Sequence, residues 1–149
     1  MNQNRLTQFL LELDNNSEFN VVSDALFKSK MTLEDYVDKI TTKANIITDV
    51  KNDDFRGFIA FYDNDNKSRV GFLSFLAVSK SFEGLGIASH LINKAITILQ
   101  EKNFVEFKLE VSKKNINAIK FYTKFGFEVI ENKLDRFSMS KALGNQDNG

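Results

Sequence analysis

Cysteine and proline are both absent from the 149 residues, and histidine occurs only once. The lack of cysteine excludes disulfides, thiolate metal sites and cysteine nucleophiles, and a single histidine argues against a zinc site. We therefore expect no metal. The lack of proline excludes proline-rich linkers, and we find no internal repeat or low-complexity tract.

A net charge is missing as well. Twenty basic and twenty acidic residues cancel, so no overall electrostatic field attracts nucleic acid or an anionic membrane surface. The apolar patch in residues 1–16 is too short and too interrupted for a signal peptide, and no later segment reaches membrane-spanning length. We expect a cytoplasmic protein that binds neither nucleic acid nor membranes.

The composition is that of an ordinary globular protein. Hydrophobic residues make up 42%, charged residues 27%, and fifteen residues are phenylalanine. A chain of this length can bury a sizeable hydrophobic core without disulfide bonds. We expect one domain over residues 1–143 with a phenylalanine-rich core, as a monomer or homodimer, followed by a disordered tail over 144–149.

The first third of the chain has helical patterns. Residues 4–14 carry apolar side chains at spacings of three and four, which predicts an amphipathic helix; they are Leu6, Phe9, Leu10 and Leu13. Residues 15–30 show no clean period. Thr32 is a good N-cap residue with acidic residues in the turn after it, which predicts a second short helix.

From Ala44 onward the pattern changes to strands. Three β-branched and aromatic runs, at 44–51, 55–64 and 69–78, are separated by turn-forming sequences. A helix then follows, with an apolar face of Ile87, Leu91, Ile92, Ala95, Ile96 and Leu99. Residues 104–111 form the next strand, parallel to the third, because a helical crossover connects them. A helix from Asn115, capped by Gly126, and two closing strands complete the prediction.

Two of the seven glycines, Gly84 and Gly86, lie between the third strand and the helix that follows it. Glycine permits a tight turn there and leaves backbone N–H groups bare at the positive end of the helix dipole, which suits an anion. A purely structural turn explains this spacing about equally often. The rest of the sequence has to decide between the two.

At this point the chain resembles the GCN5-related N-acetyltransferases (GNAT). Their signature is Gln or Arg, two residues, Gly, one residue, then Gly or Ala, and Glu83, Gly86 and Ala88 occupy it, with Glu83 departing from the pattern. Asn115, Ala118, Tyr122 and the pair Gly126 and Phe127 agree with a later helix of the family. The resemblance, clearest over residues 44–141, implies an α/β (α+β) fold: a mixed, mostly antiparallel sheet with a splayed parallel strand pair, flanked by helices.

The resemblance also implies a function, the binding of acetyl-coenzyme A between the third strand and its parallel neighbour. A β-bulge, which we place near Leu76 to Val78, would free backbone groups for the pantetheine arm and the thioester carbonyl. The pyrophosphate would rest on the amides from Gly84 to Ser89. The implied cofactor-binding residues are Leu76, Ala77, Val78, Glu83, Gly84, Leu85, Gly86, Ile87, Ala88, Ser89 and Asn115.

Acetyl transfer also needs an acid and a base. By position Tyr122 resembles the family's general acid, although a tyrosine that only packs against the sheet would look the same. Asn115 fits both a helix N-cap and a contact with the pantetheine arm. The base is open between water, Ser74 and a carboxylate such as Asp14, and we assign His90 a structural role.

The acceptor remains open at this stage. We expect a primary amine of a small molecule, such as an amino-sugar nucleotide or an amino acid. The alternatives are a protein or peptide amine and a non-catalytic acyl-coenzyme A sensor. We expect the acceptor to enter beside the first two helices and residues 131–135.

Overall fold

A computed structural model describes residues 2–15 and 20–144 of the chain. The helices are α1 (Gln3–Asn15), α2 (Val21–Ser29), α3 (Leu33–Lys43), α4 (Ile87–Glu101) and α5 (Ile116–Lys124). The strands are β1 (Asn45–Lys51), β2 (Asp54–Tyr62), β3 (Val70–Val78), β4 (Glu106–Ser112), β5 (Glu128–Asn132) and β6 (Arg136–Ala142). Of the predicted tail at 144–149, residues 145–149 lie outside the described part. None of the helices within the described ranges is long and apolar enough to cross a membrane.

The six strands form one sheet in the order β1-β2-β3-β4-β6-β5. Neighbouring strands are antiparallel except β3 and β4, which are parallel because α4 carries the chain back between them. The predicted mixed, mostly antiparallel sheet with one parallel pair is therefore confirmed.

The sheet separates two hydrophobic cores. One packs α4 and α5 against β2, β3, β4 and β6, and all six residues predicted for the apolar face of α4 are buried in it. The other packs α1 and α3 against the opposite face of β2 and β3 around Phe58, which stacks on Phe75 at 5.8 Å between ring centroids. Both cores are rich in phenylalanine, as the composition predicts.

Two of the three N-terminal helices follow the sequence prediction. In α1, Leu6, Phe9 and Leu10 are buried, and Leu13 packs against the same core. At the start of α3, the Thr32 hydroxyl accepts a hydrogen bond from the Asp35 N–H, as expected of an N-cap. Helix α2, however, lies where no period was found.

Residues outside helix α2 stabilise it. The Asp14 carboxylate, at the end of α1, accepts hydrogen bonds from the N–H groups of Val22 at 2.9 Å and Ser23 at 3.0 Å. Further along α2, Asp24 pairs with Arg136 of β6 at 3.0 Å. The contacts span eight and nine positions for Asp14 and 112 positions for Arg136, so the periodicity within α2 does not reveal them.

The β-bulge lies at Ser74, and our prediction near Leu76 to Val78 is wrong. Ala60 pairs with Phe75 and Phe61 with Leu73, which leaves Ser74 as the extra residue of β3. The extra residue reverses the alternation: Leu73 belongs to the core under α4, whereas Phe75 belongs to the core under α1 and α3.

Candidate active site

A cleft opens in the middle of the sheet because β3 and β4 separate. Their parallel pairing runs from Val70 with Glu106 to Leu73 with Leu109 and ends there. Beyond this point β3 continues alongside β2, and β4 continues alongside β6. The gap has a volume of about 570 Å³, within the usual range for small-molecule sites. The predicted splayed pair is therefore present.

The turn before α4 lies at one end of this gap. Gly84 and Gly86 have φ angles of +82° and +78°, a region that disfavours residues with a Cβ, and no atom lies within 4 Å of a Cβ built on either. Within the described ranges, the amide N–H groups of residues 84–89 donate no hydrogen bond. The first bond of α4 runs from the His90 N–H to the Gly86 carbonyl. Six bare amides beside a helix N-terminus, which we call the amide cradle, have a geometry that suits an anion.

Tyr122 reaches the cleft from α5. That helix begins after Asn115, whose side chain accepts a hydrogen bond from the Ala118 N–H at 3.3 Å. It ends in a Schellman arrangement, with Gly126 at φ +101° and the Phe127 N–H donating to the Tyr122 carbonyl at 2.9 Å. Both ends of α5 are thus fixed, and the helix cap predicted at Gly126 is confirmed.

The Tyr122 side chain both packs and lines the cleft. It is 7% exposed, and its ring lies 5.6 Å from that of Phe127 and 5.5 Å from that of Phe121. Burial raises the pKa of the Tyr122 phenol well above its ordinary value, because a phenolate in this position loses its hydration. The hydroxyl therefore keeps its proton at any physiological pH. Phe121, the neighbour of Tyr122 in α5, is partly buried and packs against the core under α4.

The other predicted residues divide into two groups. The cleft is lined by Leu76, Ala77, Val78, Glu83, Asn115 and Tyr122. Its lining does not include Gly84, Leu85, Gly86, Ile87, Ala88 or Ser89, which form the amide cradle next to Glu83. Lys80 and Lys114 add positive charge to the wall of the cleft.

Further charged residues that the sequence analysis missed line the cleft. Glu110 follows directly on the last parallel pair, lies 3.4 Å from the Ser138 hydroxyl and forms an ion pair with Lys133. Asp24 and the buried Arg136 form the second pair. In β4 the apolar residues Phe107, Leu109 and Val111 alternate with polar ones. Because alternate residues of a strand face opposite sides of the sheet, this pattern would have identified Glu110 as a polar residue on the side away from the α4 core.

The candidate bases differ in their surroundings. The Asp14 carboxylate is occupied by the N–H groups of α2, where it serves as a helix cap. His90 is exposed on α4 and does not line the cleft. Ser74 does line the cleft, and its hydroxyl lies 2.6 Å from that of Tyr36.

Of the two helices expected beside the acceptor, α1 contributes Leu13 to the lining of the cleft and α3 contributes no residue. Val21, Asp24 and Ala25 of α2, a helix that the sequence did not predict, line the cleft instead. Residues 131–135, also expected beside the acceptor, do not line the cleft, and Leu134 is 98% exposed. Arg136, directly after them, does.

The mixed sheet with its splayed parallel pair, flanked by helices, is the acetyltransferase fold, and the sequence agrees. The profile of the acetyltransferase (GNAT) family matches residues 8–127, so the chain belongs to this family.

The chain is also similar in sequence or structure to individual acetyltransferases. The N-alpha-acetyltransferase MAK3 of Arabidopsis thaliana is 37% identical over 57 residues, a match covering 38% of this chain and 30% of that relative. The PaiA N-acetyltransferase of Thermoplasma acidophilum, solved in complex with coenzyme A, superposes with a TM-score of 0.74 at 19% identity, covering 94% of this chain and 92% of that one. A GNAT acetyltransferase of Staphylococcus aureus Mu50 gives 0.73 at 22% identity over 95% and 93% of the two chains. At these identities the structural likeness shows the fold.

Proposed function

We propose that this chain is an acetyl-coenzyme A-dependent N-acetyltransferase that acts on a primary amine of a small molecule. The observation that carries the proposal is the combination of six bare amides at residues 84–89 with a cleft between splayed strands that begins at the bulge. The amides suit a pyrophosphate, and the unpaired strand edges suit an arm that carries amide groups.

The residues present fit acetyl-coenzyme A. Gly84 and Gly86 leave open space beside the amides, so phosphate oxygens meet no side chain there. Leu76, Ala77 and Val78 offer the edge of β3 to the pantetheine arm, and Lys80 and Lys114 offer countercharge. Glu83 opposes binding by repulsion, although its exposed position leaves it free to turn toward solvent.

The reaction requires that a neutral amine attack the thioester carbonyl carbon. A new C–N bond forms, the C–S bond breaks, and the sulfur leaves with the electron pair of that bond. Tyr122 would donate its phenolic proton to this sulfur, and the proton that the attacking nitrogen loses as the amide forms would return to the phenolate through water. Burial lowers the acidity of the phenol, but the same environment raises the proton affinity of a thiolate, so the two effects offset each other in part.

Glu110 is the carboxylate placed to take the proton of the acceptor ammonium. It lines the cleft immediately past the point where the strands separate, and its present partner is an ammonium, that of Lys133. An acceptor amine presents the same chemical group. Glu110 would bind the incoming ammonium, accept its proton directly or through water, and return it to solvent as the product leaves.

A protein or peptide N-terminal amine is the second candidate acceptor. The relative from Arabidopsis thaliana is named an N-alpha-acetyltransferase and is 37% identical over its matched segment. An N-terminal α-amine carries the same ammonium as a small molecule, so Glu110 suits both.

Release of free coenzyme A is the decisive experiment. The protein would be incubated with acetyl-coenzyme A and separate sets of amino-sugar nucleotides, amino acids, polyamines, aminoglycosides and short peptides with free N-termini, with thiol detection. We expect amine-dependent thiol release in a small-molecule set. Release with peptides alone would support the second acceptor, and binding of acetyl-coenzyme A without release in any set would indicate a non-catalytic sensor.

A further inference from the structure

Ser74 lies where the cleft begins. The last parallel pair joins Leu73 to Leu109, and Ser74 is the next residue of β3 and the extra residue of the bulge. It lines the cleft and is the one polar residue of that strand. Because the bulge removes Ser74 from the regular ladder, its side chain does not follow the alternation of its neighbours.

Tyr36 of α3 fixes the orientation of this hydroxyl. The two oxygens are 2.6 Å apart, and the Tyr36 ring contacts Phe75, whose centroid lies 6.3 Å away. Burial raises the pKa of Tyr36 to about 12, so the phenol keeps its proton. Either of the two hydroxyls can be the donor of this hydrogen bond, and within residues 2–15 and 20–144 neither has a second hydrogen-bond partner.

The direction of this bond determines what Ser74 can do. A carbonyl oxygen bound in the cleft would accept a hydrogen bond from the Ser74 O–H, and Tyr36 would then donate its own hydrogen bond to the Ser74 oxygen. Accepting a hydrogen bond makes a hydroxyl a stronger donor and a weaker base. Ser74 is therefore poorly suited to deprotonate an amine and well suited to donate into the cleft.

We propose that the Ser74 hydroxyl donates a hydrogen bond to the thioester carbonyl oxygen as negative charge develops there, and that Tyr36 positions it. The inference rests on the proposed function. Ser74 forms no covalent bond and transfers no proton; the electron pair displaced from the carbonyl stays on its oxygen until the C–S bond breaks. Tyr36 acts only through Ser74 and is a positioning residue.

The first test needs binding and no turnover. Acetyl-coenzyme A labelled with ¹³C at the thioester carbonyl would be bound without an acceptor, and its carbonyl stretch measured by isotope-edited infrared difference spectroscopy. A donated hydrogen bond lowers this frequency. We expect the band of the wild-type complex to lie below that of the Ser74→Ala complex, with Tyr36→Phe between the two.

The second test is kinetic. Loss of one oxyanion donor costs about 10²- to 10³-fold in turnover, so Ser74→Ala should lose that much with an almost unchanged Michaelis constant for acetyl-coenzyme A. The double variant of Ser74→Ala and Tyr36→Phe should be no slower than Ser74→Ala alone, because Tyr36 acts through the missing hydroxyl.

Tyr62 provides the matched control. Its hydroxyl is buried and has no hydrogen-bond partner in the described ranges, and the residue does not line the cleft. Tyr62→Phe therefore removes a second tyrosine hydroxyl, one that is not bonded to Ser74, and should leave both the infrared band and turnover unchanged. Ser74→Thr keeps the donor and should retain most of the activity.

The outcomes separate this inference from the proposed function. If the wild-type and Ser74→Ala complexes show the same carbonyl frequency, the inference is overturned, whether or not amine-dependent thiol release occurs. A shifted acid limb in the pH profile of Ser74→Ala, with an unshifted band, would also overturn it, because Ser74 would then act on the amine. A protein that binds labelled acetyl-coenzyme A with the expected shift but releases no thiol would retain the inference and contradict the proposed function.

Discussion

Gly86→Asp tests the amide cradle most directly. Gly86 is the N-cap of α4, has a φ of +78°, and has no atom within 4 Å of the position where a Cβ would lie. The new side chain therefore meets no steric obstacle. It changes only two things: the backbone conformation that a non-glycine residue has to adopt, and the charge beside the amides of residues 84–89.

The two effects have different magnitudes and different readouts. A non-glycine residue in the left-handed region costs about 1–2 kcal/mol, which lowers the free energy of unfolding and shifts Tm by roughly 2–8 °C for a chain of this size. Repulsion between unit charges about 4 Å apart amounts to about 1 kcal/mol in water and about 4 kcal/mol at an effective dielectric constant near 20. At 1.4 kcal/mol per tenfold change, affinity for acetyl-coenzyme A should fall by about 5- to 700-fold.

Isothermal titration calorimetry with acetyl-coenzyme A, together with thermal unfolding, would measure both quantities. Gly86→Ala carries the backbone cost without the charge, so it should lose stability but little affinity. Gly144→Asp adds the same charge where a Cβ also meets nothing within 4 Å, beside Gln100 at the other end of α4, and should change neither much. A folded Gly86→Asp protein with wild-type affinity would show that the cradle does not hold the cofactor.

Four further predictions concern the cleft. Tyr122→Phe keeps the packing and should lower turnover by about 10²-fold or more with a nearly unchanged Michaelis constant for acetyl-coenzyme A; wild-type turnover in this variant, measured where chemistry limits the rate, would assign Tyr122 to packing alone. Because burial raises the pKa of Tyr122, the wild-type enzyme should lose no activity from ionisation of this phenol below about pH 10. Glu83→Gln removes a charge near the cradle and should tighten acetyl-coenzyme A binding about fivefold at low salt and less at high salt, by calorimetry; weaker binding would mean that Glu83 contacts the ligand favourably. Asp24→Asn leaves the buried Arg136 without its countercharge and should lower stability by about 1–2 kcal/mol in denaturant unfolding, whereas an unchanged midpoint would mean that the pair contributes nothing. Ala25→Leu narrows the α2 wall and should raise the Michaelis constant of the acceptor severalfold while that of acetyl-coenzyme A stays within about twofold; equal changes in both would contradict the assignment of α2 to the acceptor side.

The periodicity of apolar residues predicted those helices and strands that bury one face in a single hydrophobic core. The apolar face of α4 is a clear example, because each of its predicted positions is buried against the same side of the sheet. The alternation of Phe107, Leu109 and Val111 defines β4 in the same way. Patterns of this kind are local, so a single sequence contains them in full.

The bulge could not be located by alternation, because β3 is apolar along most of its length. Residues of this strand contribute to the hydrophobic cores on both faces of the sheet. When a bulge moves the later side chains to the opposite face, the hydrophobic pattern of the sequence therefore does not change. Ser74 is the exception, a single polar residue in an otherwise apolar run. Its polarity was the available indication of the bulge.

The missed parts of the site depend on contacts between distant residues. Tyr36 meets Ser74 across 38 positions, and Arg136 meets Asp24 across 112. In the sequence each of these residues resembles an ordinary polar residue of its own helix or strand. Only the packing of α2 and α3 onto the sheet brings the members of each pair together.

The hydrogen-bonded pairing of β3 with β4 ends at Leu73, and this also affects how the protein unfolds on heating. Strands β1, β2 and β3 are hydrogen-bonded to one another, as are β4, β6 and β5, and the two groups share only a short ladder from Val70 to Leu73. A molecule bound along the unpaired edges touches both groups and stabilises the folded state by RT ln(1 + [L]/Kd), about 2.7 kcal/mol at a hundredfold excess over Kd. Acetyl-coenzyme A should thus sharpen the melting transition as well as raise its midpoint, because it couples two halves of the sheet that the backbone joins weakly.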